Sequence, residues 1–200
     1  FVDKMPPLQL NFVVCHEVIH AALGHCNPYR IGNRNVVVYD KDGNPISLWN
    51  IAADFVVNFL IVQALKETNG KWAEMPSWVL YDEKYGGKTV EQVYSELLKD
   101  SKKWPKYQGG GASDGNGQPM IPGDKTLTDD HFGTEELKGM MDDAQARQIE
   151  HKWKNILEKE IVNARRRGVV PGVLRIIEEI FMAPPKIDWR EELSDYIVDQ

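Results

Sequence analysis

The sequence predicts an α+β protein, mostly helical with a small β-sheet or hairpin, and three observations carry that prediction. Apolar residues recur at helical spacing over several long stretches. One short β-branched run ends in a tight-turn signal, and Gly or Pro punctuates most boundaries. At 200 residues the chain is expected to form one domain spanning 1–200.

From Leu8 to Leu23 the apolar positions Leu10, Val13, Val14, Val18 and Leu23 keep the helical period, with Pro6-Pro7 in front and Gly24 behind. Asn27-Pro28 and Gly32-Asn33 break the pattern. Val36-Val37-Val38-Tyr39 then leads into Asp42-Gly43, which reads as a strand entering a tight turn. Leu48 to Leu65 is a second strong helix, apolar at Ile51, Phe55, Phe59, Leu60 and Val62, and it ends near Asn69-Gly70. Thr89 is placed to cap a third helix reaching Leu98. Ser101 to Gly123, rich in Gly, Ser, Asn, Lys and Pro and containing Gly109-Gly110-Gly111, is expected to be a long mobile loop. Further helices are expected over Glu135–Arg167, over Val173–Met182 after Pro171-Gly172, and over Trp189–Ile197 after Pro184-Pro185.

Composition narrows the function. Hydrophobic residues make up 42% and charged residues 27%, the balance of an ordinary globular protein. A formal net charge of -6 provides no chain-wide basic field, so nucleic acid is not an expected partner. The run Arg165-Arg166-Arg167 reads as the basic C-terminal end of a helix. Two cysteines, Cys15 and Cys26, do not make a disulfide framework, which favours a reducing compartment. With no charged segment leading into an apolar one, and no apolar run of about eighteen residues, neither a signal peptide nor a membrane span is expected. The cytoplasm is the default location.

Residues 16 to 20 read His-Glu-Val-Ile-His. Two histidines four apart on a helix project from one face, about 40° apart, so both rings reach one divalent cation. Glu17 is then placed as general base toward a water activated by that ion, the chemistry of metal-assisted hydrolysis. Three of the five histidines, His16, His20 and His25, fall on this one segment, which core packing does not call for. A third ligand is required, and His25, Cys26 and later carboxylates are the alternatives. Gly24 is expected to end the helix and turn His25 and Cys26 away. Asp54, the lone acid within Ile51-Ala52-Ala53-Asp54-Phe55-Val56-Val57, is the stronger candidate. Asn58, one turn later on the same face, is placed to accept a hydrogen bond from the ring N–H of His20 and fix its tautomer. His131, after Asp129-Asp130, is the candidate to steady an oxyanion, with Tyr81, Tyr85 and Tyr107 as weaker alternatives.

The stretches His16-Glu17-Val18-Ile19-His20-Ala21-Ala22-Leu23-Gly24-His25 and Asn50 to Asn58 resemble the metallopeptidase-domain family that often precedes a von Willebrand factor A-like domain, with phage and bacterial members. Thr89-Val90-Glu91-Gln92-Val93-Tyr94 is similar to that family's middle helix, and Pro184 to Arg190 to its closing motif. The resemblance implies a zincin-like domain with zinc (Zn2+) as cofactor, His16 and His20 as ligands, Glu17 as catalytic acid/base and Asp54 as third ligand. It also implies a peptide or protein substrate, an ATPase partner, and the cytoplasm of a bacterium or a phage-infected host. The rival expectation is a metal-stabilised adaptor module without activity. Glu17 argues against it, because a structural metal site has no need of that carboxylate.

Overall fold

The computed structural model describes residues 5–40, 42–105, 119–121, 139, 141–168 and 172–181. Pro7 lies in the first turn of helix α1 (Pro7–Ala22), where its missing N–H leaves no bond unmade. Gly24, with φ at 65°, ends that helix in a Schellman turn. The Gly24 N–H donates to the Ala21 carbonyl at 3.2 Å, and the His25 N–H to the His20 carbonyl at 3.0 Å. A short helix α2 (Pro28–Ile31) follows, with the Asn27 side chain accepting from the Tyr29 N–H at 3.0 Å.

Strands β1 (Val37–Tyr39) and β2 (Pro45–Ser47) pair antiparallel with Val38 opposite Ile46, forming the small sheet that the α+β class requires. Asp40 organises the turn: its Oδ1 accepts from the backbone N–H groups of Asp42 and Asn44, at 2.9 and 2.7 Å. Tyr39 also forms an isolated parallel bridge to Met120.

Helix α3 (Leu48–Glu67) is the centre of the fold. Its buried residues, among them Trp49, Ala52, Val57 and Leu60, lie on all sides of the helix and not along one stripe. A helix apolar all round must be enclosed, and α3 is, by α1, β2, α4 (Val90–Ser101) and α6 (Gly172–Phe181). By length and a mean hydropathy of 1.6, α3 would suffice to cross a bilayer, although Asn50, Asp54, Asn58 and Gln63 interrupt its apolar run. Here 61% of that stretch is buried inside the protein, the position of a core helix.

Thr89 caps α4 as expected, in a reciprocal box: the Thr89 N–H donates to Gln92 Oε1 at 2.9 Å and the Gln92 N–H to Thr89 Oγ1 at 3.3 Å. Asp142 and Gln145 repeat the device at the start of α5 (Asp143–Arg166), which packs on α1 and α2. The α6 N-terminus is tied to the end of α3, where Glu67 accepts from the Gly172 N–H at 2.9 Å. Most of the expected loop from Ser101 to Gly123, the start of the Glu135–Arg167 helix and the Trp189–Ile197 helix lie outside the described residues.

Helices α1 and α3 run antiparallel. The indole N–H of Trp49, at the start of α3, donates to the His25 carbonyl at 2.9 Å, while Phe12, early in α1, packs with Val57 and Ile61 further along α3. That opposition sets the pairing of the polar residues between them.

Arg30 joins three elements by donating to the Leu23 carbonyl at the end of α1 and, from Nε at 2.9 Å, to Glu91 in the first turn of α4. Burial pushes the Glu91 carboxyl up, but the hydrogen bond and charge of Arg30 outweigh this and hold it below the ordinary carboxylate range. A depressed folded value stabilises the fold above the unfolded value of about 4.3, and that stability is lost as pH falls through the folded value. We expect Glu91→Gln to cost about 1 kcal/mol at pH 7, allowing for solvent screening of a partly exposed pair. The difference in melting temperature between parent and variant should shrink below about pH 4.

Candidate metal centre

Two helical repeats face each other across the α1–α3 contact: His16 and His20 on one side, Asp54 and Asn58 on the other, each pair four residues apart. All four are buried, His20 at 1% exposure and Asn58 at 1%. Asp54 Oδ1 lies 3.6 Å from His16 Nε2 and 3.4 Å from His20 Nε2. One ligand atom from each of the three residues falls within 4.8 Å of the others.

Those separations are long for hydrogen bonds, which for N–H donors run about 2.7–3.2 Å. They suit a shared cation instead. Tetrahedral coordination with bonds of about 2.0–2.1 Å holds its donor atoms about 3.3–3.4 Å apart. Asp54 Oδ1 is buried without a hydrogen bond among the described residues, so this set of donors fits a divalent metal. Burial alone pushes the Asp54 carboxyl up; the two imidazoles facing it outweigh burial and hold it below the ordinary carboxylate range. Asp54 is therefore an anion at neutral pH.

His16 is oriented by a short chain of bonds. The Leu80 carbonyl can only accept, and the Asn58 Nδ2 donates to it at 2.9 Å. That fixes the amide so that Asn58 Oδ1 faces His16 Nδ1, also at 2.9 Å. The oxygen can only accept, so His16 carries a proton on Nδ1, which leaves Nε2 as the nitrogen that faces Asp54 and would bind a metal. The expected partner of Asn58 was His20. The antiparallel lay of the helices explains the difference, because moving toward the C-terminus of α3 means moving toward the N-terminus of α1, from His20 to His16.

Glu17 is exposed on α1, about 100° around the helix from His16 and about 60° from His20 by the helical period. His25 is not turned away as expected. The Schellman turn folds it back, 3% exposed, with its ring centroid 5.1 Å from that of His20 and the planes at 79°. Neither His25 nor Cys26 belongs to the converging group, which is the only such group among the described residues. Tyr85 is core, packed on Phe55 at a centroid distance of 4.6 Å. His131 and Tyr107 lie outside the described residues. The Leu80 carbonyl has no signature in the sequence, since any residue type supplies one, whereas Gly24 at the helix end is a signal for the His25 contact.

A family model described as "Putative metallopeptidase domain" matches residues 1–200. No curated protein and no solved structure shows a significant match.

Two substitutions probe the centre. A divalent cation at about a hundred times its dissociation constant should stabilise the parent by about 2.7 kcal/mol, and Asp54→Asn should largely abolish the resulting rise in melting temperature. Asn58→Leu should weaken metal binding about 10–100-fold in a chelator competition, because His16 loses the partner that sets its tautomer.

Proposed function

The chain belongs to this putative metallopeptidase domain family, and from that premise and the site geometry we propose that it is a zinc-dependent peptidase acting on peptide or protein substrates. The single observation that carries the reading is the convergence of two imidazole nitrogens and one carboxylate oxygen, buried on two facing helices, with Glu17 in the same helical turn as the histidines. Two histidines and a carboxylate are the donor set of hydrolytic zinc sites, which leave one position open. Zinc, when bound, supplies Lewis acidity to a peptide carbonyl and to water. The pairing of α1 with a second ligand-bearing helix supports a zincin-like arrangement.

The chain's own groups divide the remaining work. His16, His20 and Asp54 would hold the ion, and Asn58 keeps His16 in its ligating tautomer. The Glu17 carboxylate takes a proton from the attacking water and delivers it to the departing amine, which lets one residue serve as base and then as acid. His131 is proposed to donate to the developing oxyanion. The exposure of Glu17 suits such a role, because substrate and water must both reach it.

Glu17→Gln keeps the size and polarity of the side chain but removes its basicity. We expect it to reduce cleavage of a peptide library at least 100-fold, with zinc content and melting temperature close to those of the parent. A parent that holds zinc and cleaves no peptide would sink the peptidase reading.

A further inference from the structure

His20 is enclosed by aromatic rings on two sides. The His16 ring stands 4.4 Å away, tilted by 50°, and the His25 ring meets it edge-on at 5.1 Å. The second contact is built by the backbone. In a Schellman turn the residue after the left-handed glycine returns over the third residue from the helix end, and an apolar contact commonly forms between those two positions. In this chain the two positions are His25 and His20, joined by the 3.0 Å bond from the His25 N–H to the His20 carbonyl. The His25 carbonyl in turn accepts from the indole N–H of Trp49, which is fully buried at the start of α3. His25 is thereby registered to the same helix that presents Asp54.

We propose that His25 is a positioning residue for the metal centre: its ring, held edge-on against His20, limits the rotation of that imidazole and keeps Nε2 directed at Asp54 Oδ1. The contact follows the edge-to-face preference of aromatic rings, so an aromatic ring is the required feature. The inference rests on the metal-site reading above and adds a residue outside the ligand set.

The test is zinc affinity, measured by competition with a chromophoric chelator, together with long-range proton–nitrogen spectra of the histidine rings in the metal-free protein. His25→Ala should weaken zinc binding about 10–100-fold, the range for loss of a group that orients a ligand. His25→Phe, which keeps a ring, should stay within about threefold of the parent. The His20 nitrogen signals should match the parent in His25→Phe and shift in His25→Ala. If His25→Ala does not fold, His25→Asn, polar but without an aromatic ring, takes its place with the same expectation. Parent-like affinity in the Ala or Asn variant overturns the proposal, and so does a Phe variant as weak as Ala. A parent that takes up no zinc overturns the proposed function instead, and the metal-free ring spectra then decide the role of His25 alone.

Discussion

A carboxylate buried between two imidazoles, where two antiparallel helices meet, is the constraint around which this protein is organised. Taking an anion such as Asp54 out of water costs several kcal/mol unless positive charge or hydrogen bonds offset it. The residues beside Asp54 along α3 are apolar, and the Asn58 amide one turn on is committed to His16 and the Leu80 carbonyl. The offset has to come from α1, and only His16 and His20 are presented to Asp54 from that helix. The centre is thus both the candidate site of chemistry and a condition on how the core closes.

That condition reaches into the surrounding elements. The C-terminal end of α1 is fixed by the Gly24 turn, by the Trp49 bond to the His25 carbonyl and by Arg30, which also holds α4 through Glu91. The other end is fixed where the loop after α3 returns: Glu74 donates its N–H to the Leu8 carbonyl at 3.0 Å, and Asn11 donates to the Trp72 carbonyl at 2.7 Å. The same return places the Leu80 carbonyl against Asn58. Both ends of α1 are therefore tied by hydrogen bonds to backbone carbonyls, which fix where His16 and His20 stand against Asp54.

The division of tasks along α1 follows from its circumference. His16 and His20 face α3 and are buried, while Glu17 stays at the surface within the same turn. A helix offers about 100° between successive residues, enough to keep His16 and His20 inside and Glu17 in contact with solvent. Buried histidines with an exposed carboxylate in the same turn are what the proposed peptidase site would need.

Much of this was legible in the chain itself. Helical periodicity gave α1, α3 and α4 to within a few residues, the Val36–Tyr39 run gave the hairpin, and the spacing of His16, His20, Asp54 and Asn58 showed which of them share a helix face. Local chemistry determines such features, because period and capping act within a few residues of one another. The direction in which α3 lies on α1 is another matter. It decided that Asn58 serves His16 and not His20, and that Leu80 anchors the amide. Spacing along one helix fixes faces but says nothing about how two helices are phased, and that relation exists only once apolar surfaces from distant parts of the chain have packed together.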